Sequence, residues 1–192
     1  MKELFRQYIV SIVSLYQDVP TDVYDGLLSI SYIGAVVLIA FLGWKRGRKK
    51  VAGLLLAEYI FLIYCSTVIC RTEAEGVPGY NPSPFWSYEA IKNGREDLVA
   101  ENIMNVLVFV PIGLLLGLIT QKTLNGWRTL IARVLLIVVV GMIMSGSIEM
   151  LQYFLKRGFS EFDDVFHNTL GCLGGLMIIM LIERKWLLLK RY

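Results

Sequence analysis

Five apolar stretches of about 20 residues, each long enough to cross a lipid bilayer as a helix, constrain this chain more than any other feature. They cover residues 26–44, 51–70, 103–120, 130–153 and 165–182. Charged residues make up 18% of the sequence, against about 25% in a typical soluble domain. The sequence therefore predicts an all-α integral membrane protein with about five transmembrane helices.

The segment before the first span has a different character. Residues 1–18 carry apolar side chains at helical spacing and few charges, which indicates an amphipathic helix lying in the headgroup region of the membrane. We expect three parts: an N-terminal interfacial segment (1–25), a transmembrane helical hairpin (26–70) and a three-helix membrane region (71–192). The last part begins with an extracytoplasmic loop over residues 71–102.

The distribution of charge predicts the orientation in the membrane. Lysine and arginine gather in the turns 45–50 and 121–129 and in the tail 183–192, whereas the acidic residues gather on the opposite side. Short cytoplasmic loops retain basic residues, so we expect the N-terminus outside and the C-terminus in the cytoplasm. The net charge of +3 conceals this separation and gives no reason to expect nucleic acid as a partner.

Polar residues near the predicted outer ends of the last three spans form the candidate functional site. They lie on helix faces that small residues make suitable for close packing. The faces comprise Asn105, Gly113 and Gly117 in the third span, Gly141, Ser145, Glu149 and Gln152 in the fourth, and Asp164, His167, Asn168, Gly171 and Gly175 in the fifth. Because an unpaired polar group in lipid is costly, we expect one hydrogen-bonded network, open to the outside, that joins Asn105, Glu149, Gln152, Asp164 and Asn168.

The start of the fifth span also fits a helix cap. In this pattern the Ser160 hydroxyl accepts a hydrogen bond from the backbone amide of Asp163. Asp163, Asp164 and His167 could approach one cation, but no metal-binding helical signature is present. We therefore expect neither a metal nor a cofactor.

Four short pieces of the sequence occur together in a recognisable order: 81-NPSPF-85, 105-NVLVFVPIG-113, 148-IEMLQ-152 and 158-GFSEFDDVFHNTLG-171. In these pieces the chain resembles the VanZ-like family of bacterial membrane proteins. Together with the polar faces, the resemblance implies a ligand-binding set of Asn81, Asn105, Glu149, Gln152, Asp164, His167 and Asn168. The residues expected to have structural roles are Pro84, Phe85, Phe109, Pro111, Gly113, Ser160 and Gly171.

The resemblance also implies a function. The family's namesake is associated with low-level resistance to teicoplanin, a glycopeptide antibiotic with a fatty-acyl tail. A multi-pass protein of the bacterial plasma membrane is implied, in contact with membrane lipids, whose outer-leaflet polar site binds a lipid-tailed glycopeptide or a lipid-linked cell-wall precursor.

Two other functions stay open. One is an intramembrane enzyme that modifies an envelope lipid or a lipid-linked glycan, with Glu149 and Asp164 as acid and base. The other is a small transporter or flippase, although no inverted repeat is visible in the sequence. The glycine faces would also allow a homo-oligomer.

Overall fold

The computed structural model describes residues 29–30, 32–36, 47–69, 71, 79–120 and 127–189. The predicted interfacial segment (1–25) and most of the first predicted span (26–44) lie outside the described residues. Within that span, residues 29–30 and 32–36 are helical. The last four predicted spans can be compared with the structure in full or nearly so.

From residue 48 onward, the described chain is mainly helical. The helices are α1 (Arg48–Tyr64), α2 (Trp86–Lys92), α3 (Asp97–Ile119), α4 (Trp127–Leu155) and α5 (Phe162–Leu189), and the strands are β1 (Gly79–Asn81) and β2 (Phe159–Glu161). A π-helical turn, Cys65–Ile69, continues α1. Four of these helices are long and apolar enough to cross a membrane, which confirms the prediction of an all-α membrane protein.

All four long helices begin three to six residues earlier than the predicted spans, and in two of them the added residues include acidic ones. The third predicted span starts at residue 103, but α3 starts at Asp97; the fifth starts at residue 165, but α5 starts at Phe162. In these two helices the first turn is acidic, with Asp97 in α3 and Asp163 and Asp164 in α5. Carboxylates stabilise the positive N-terminal end of a helix, but they interrupt the apolar pattern of the sequence. Hydropathy therefore predicts only the part of each helix that is suited to lipid.

The closest helix pair is α3 and α5, which run parallel and meet through glycines. A Cβ atom at Gly113 would overlap the Cys172 carbonyl, one at Gly171 would overlap the Val106 carbonyl, and one at Gly175 would overlap the Val110 carbonyl. Such backbone-to-backbone contact is open only to glycine. It holds the outer-end polar residues of α3 and α5 within hydrogen-bonding reach of each other.

Two three-residue strands join the loop before α2 to the connection between α4 and α5. They pair in parallel, with Gly79 opposite Phe159, Tyr80 opposite Ser160 and Asn81 opposite Glu161. A side chain at Gly79 would overlap the Phe159 ring, which is half exposed and would have to turn away to make room. The ladder places the loop 79–96 over one end of the bundle, the end that carries the candidate site.

Candidate functional site

The predicted site residues lie at the bundle end beneath β1, β2 and α2, but their side chains form separate pairs. Asn105 of α3 donates from Nδ2 to Oδ1 of Asp164 on α5, at 2.6 Å. Asn168 of α5 donates to the Ser145 hydroxyl on α4, at 2.8 Å. Gln152 of α4 donates to the backbone carbonyl of Thr67, at 3.1 Å. Each pair joins two different segments of the chain, so these polar groups hold the helices of the bundle together.

Glu149 connects α4 to the strand ladder. Its Oε2 accepts a hydrogen bond from the backbone amide of Glu161, at 3.0 Å, and the residue is only 6% exposed. No described residue donates to its other carboxylate oxygen. The direct hydrogen bonds do not include one between Glu149 and Asp164, although the two charges lie close enough to interact. The predicted continuous network is thus replaced by pairs that approach one another.

A cleft of about 630 Å³ opens beside Glu149, between α4 and α5. Its polar lining consists of Tyr80, Ser147, Glu149, Ser160 and Glu161. Its apolar lining includes Met142, Ile143, Met150, Phe162 and Val165. We call this space the α4–α5 cleft. A site with a polar end and an apolar flank is suited to an amphiphile, because each half of such a ligand finds matching surroundings.

Glu161, in β2, is the carboxyl group of the cleft that lies outside the membrane-spanning helices. Its Oε2 accepts a hydrogen bond from Nε1 of Trp86, at 2.8 Å. Burial raises the pKa of Glu161 from its ordinary 4.5 to about 7, the charges of Glu101 and Asp163 raise this pKa further, and the Trp86 hydrogen bond opposes the rise. The carboxyl group therefore changes charge near neutral pH.

We expect the stability of the folded protein to fall as pH rises from about 4.5 to about 7. Because the folded state holds the Glu161 proton more tightly than the unfolded state does, the contribution of this group is complete below the lower pH and lost above the higher one. Glu161 is partly exposed, so solvent screening limits the effect to about 1–2 kcal/mol. Thermal unfolding in detergent between pH 4.5 and 8 measures this effect.

The control for this prediction is a comparison of variants. Glu161→Gln should reduce the pH dependence, because the amide does not titrate, while Glu89→Gln, on the exposed part of α2, should leave it unchanged. An identical slope in wild type and Glu161→Gln would show that Glu161 does not carry the effect.

Asp163 has a role that the sequence did not reveal. The capping pattern in the sequence involves only its backbone amide, whereas its carboxylate accepts hydrogen bonds from the Phe85 amide, the Ser87 amide and the Ser87 hydroxyl. It therefore caps the start of α2. Ser160, the predicted partner of the Asp163 amide, lies in β2 opposite Tyr80, and the described hydrogen bonds include none from that amide to the Ser160 hydroxyl.

His167 also contacts α2. Its Nε2 shares a hydrogen bond of 2.8 Å with the Tyr88 hydroxyl, and the two rings lie 5.6 Å apart. His167 does not share a described hydrogen bond with Asp164 or Asn168, although these residues follow the same helix face. It holds α2 against α5 on the side of the bundle away from the α4–α5 cleft. Across the described ranges, no three His, Cys, Asp or Glu side chains are arranged to hold a metal ion.

The other predicted residues occupy the surroundings of the site. Asn81 accepts a hydrogen bond from the Ser83 amide at 3.0 Å and so closes a turn; its part in ligand binding stays a prediction. Phe85, at a φ of 62°, packs edge-on against Phe166. Phe109 and Pro111 are buried within α3, which continues through the proline. Pro84 is exposed in the turn before α2.

Comparison with known proteins gave one match. The model of a family described as VanZ/LLP1 matches residues 29–183 of the chain. No curated protein and no solved structure matches it.

Proposed function

The chain belongs to the VanZ/LLP1 family, and from this premise we propose that it lowers sensitivity to teicoplanin by binding a lipid-anchored ligand in the α4–α5 cleft. The ligand is either the lipid-tailed antibiotic or a membrane lipid that the antibiotic requires. The association of the family's namesake with teicoplanin supports the choice of antibiotic. The cleft supports binding within the membrane rather than in the cytosol.

The observation that carries this proposal is the position of Glu149. Glu149 is almost fully buried, and its second carboxylate oxygen receives no hydrogen bond from the described residues but is open to the cleft. A carboxylate at this depth needs a polar partner or water. Glu149 lies where the polar and apolar linings of the cleft meet. An amphiphile bound there would place its polar head at Glu149 and its tail beside the lipid.

The proposed orientation places this cleft in the outer leaflet of the bacterial plasma membrane. The basic turns and tail lie at the opposite ends of the spans from Glu149, and basic residues remain in the cytoplasm. A ligand that arrives from outside, as a glycopeptide does, would reach this end of the bundle without crossing the membrane.

We expect Glu149→Gln to abolish the protection against teicoplanin that the wild-type protein gives when expressed in a sensitive host. The amide keeps the size of the side chain and can no longer be charged, so the ligand loses its electrostatic partner. The measurement is the minimum inhibitory concentration of teicoplanin, with vancomycin as the tail-free comparison and membrane levels of each variant checked by immunoblot.

The matched control is Glu89→Gln, which removes an exposed carboxylate from α2 and should protect as well as wild type. Protection by Glu149→Gln at wild-type protein levels would refute the role of this residue. An equal change in sensitivity to both antibiotics would refute recognition of the lipid tail.

A further inference from the structure

We propose that the α4–α5 cleft selects amphiphiles whose head carries a protonated amine next to an apolar tail. This inference rests on the proposed function and deepens it by naming the chemical class of the ligand. An aminophospholipid and an acylated glycopeptide with a free amine both belong to this class. Lipids with a purely anionic head, such as lipid-linked phosphates, would be excluded.

The polar end of the cleft is lined by carboxyl groups. Glu149 and Glu161 line it, and the carboxyl group of Asp164 lies close enough to interact with both. Three carboxyl groups, from two helices and one strand, therefore lie at or near this end. An anionic head would meet repulsion there, whereas an ammonium group would meet attraction.

Among the described basic residues, neither Arg157 nor Arg71 forms an ion pair within 4.0 Å with Glu149 or Glu161. Arg157 donates to the carbonyls of Val68 and Ile69, at 3.0 and 2.8 Å, and so caps the end of the π-helical turn. The charge of Arg71 reaches Glu149 and Asp164, but no ion pair within 4.0 Å joins Arg71 to either residue. Its guanidinium lies beside Gly158, which is not part of the cleft lining.

The hydrogen-bond partners of Glu149 also favour an ammonium group. The residue is more than nine-tenths buried and lines the cleft, and one of its carboxylate oxygens lacks a donor among the described residues. An ammonium group has three donors and no acceptor. It would complete the Glu149 carboxylate with a charge-assisted hydrogen bond, which a neutral or anionic head could not supply in the same way.

The apolar lining of the cleft extends along α4 from Glu149. Met142 lies two helical turns from Glu149 along α4, or about 10 Å at the rise of an α-helix, and both residues line the cleft. Met142 and Ile143 are also well exposed on the lipid-facing surface. An acyl chain that leaves an amine at Glu149 can therefore follow α4 toward the middle of the membrane.

The test compares three probes that share one chain and differ in the charge of the head. They are octadecylamine with a nitroxide on its fifth carbon, the N-acetyl derivative of this amine, and the matching stearic acid. Trp86 reports binding, because its Nε1 contacts the Glu161 carboxylate and a nearby nitroxide quenches its fluorescence. The protein carries Trp44→Phe, Trp127→Phe and Trp186→Phe and is held in phosphatidylcholine nanodiscs at pH 8, where Glu161, with a pKa of about 7, is charged.

We expect the amine to quench Trp86 with an apparent Kd about tenfold lower than that of its N-acetyl derivative, the gain of one charge-assisted hydrogen bond, and the acid to bind weakest. Glu149→Gln should bring the amine and its derivative to similar Kd values. Equal quenching by all three probes in the wild-type background would overturn the proposal without reliance on any variant. Glu161→Gln is the second variant, and its preference for the amine should fall as well.

Competition experiments distinguish the two sources of the amine. Together with the variants, they also distinguish a failure of the amine inference from a failure of the proposed function. Displacement of the probe by teicoplanin identifies the antibiotic as ligand, and displacement by phosphatidylethanolamine in the nanodisc identifies a lipid; displacement by neither overturns the assignment of this ligand class. If the probes show no preference for charge while Glu149→Gln still abolishes protection against teicoplanin, the proposed function stands and the amine inference fails. If the probes show a preference for the amine but Glu149→Gln does not change antibiotic sensitivity, the amine inference stands and the proposed function fails.

Discussion

Replacement of Gly171 by alanine is expected to destabilise the protein by about 3 kcal/mol, because it forces α3 and α5 apart. The new Cβ would overlap the backbone carbonyl of Val106 and lie 3.0 Å from Cβ of Phe109. Neither atom can move without the helix that carries it, so the cost lies at the upper end of the range for an overpacked core. The same displacement would pull Asn105 away from Asp164, so the hydrogen bond that joins the outer ends of α3 and α5 should be lost as well.

The free energy of unfolding, measured by SDS titration in mixed micelles, tests this prediction. Gly174→Ala is the matched control, because it lies in the same helix and its Cβ would meet nothing within 4 Å. That variant should be unchanged, or more stable by up to about 1 kcal/mol, since alanine is the better helix former. Equal stability of the two variants would mean that α3 and α5 do not pack through Gly171.

The glycine contact shows what the sequence could predict. The spacing of Gly113 and Gly117 in one span, and of Gly171 and Gly175 in another, indicates two faces suited to close packing, and a regular helix needs no further information to produce them. Apolar periodicity predicts the long helices for the same reason. Both patterns arise within a single span and do not depend on how the spans pack against each other.

The pairing of the site could not be predicted in the same way. Asn168 bonds to Ser145 and Gln152 bonds to a backbone carbonyl of Thr67, partners that a pattern of charged and amide side chains does not include. The strand ladder joins Gly79 to Phe159, which are far apart in the sequence. Strands of three residues are also too short to show the alternating pattern of a strand. Such contacts depend on how the helices pack, which single-segment patterns do not contain.

The adjacent residues Asp163 and Asp164 show this limit most directly. Successive residues on a helix point about 100° apart, so one carboxylate meets Asn105 on α3 and the other meets the start of α2. The sequence shows two aspartates at a helix start, and capping of that same helix is the simplest interpretation. Only the position of α2 over the bundle reveals that Asp163 belongs to a different helix end.

Asp163→Ala is therefore expected to release α2 and the loop that contains it. Asp163 is fully buried, and its loss leaves the amides of Phe85 and Ser87 without their acceptor, at about 1–3 kcal/mol for each buried group. Phe85 has a positive φ of 62°, a conformation that a non-glycine residue keeps only where neighbouring contacts hold it. With the carboxylate gone, this turn should relax and α2 should leave the surface of α5.

Two measurements report on this release. Amide hydrogen exchange over residues 85–92 should accelerate, and trypsin should cleave after Lys92 or Arg95 far faster than in wild type, since both sites lie in the segment that Asp163 holds. The control is Asp97→Ala, which breaks the ion pair with Arg95 and removes an acidic residue from the first turn of α3. The side chains of this pair are 60% exposed for Arg95 and 61% exposed for Asp97, and such a pair or such a charge contributes little to stability, so cleavage after Lys92 should stay close to wild type. Because Trp86 donates a hydrogen bond to Glu161 from this same helix, release of α2 would also remove a partner of a carboxyl group that lines the cleft. Slow cleavage in Asp163→Ala would show that the strand ladder and the Tyr88–His167 contact hold α2 without the aspartate.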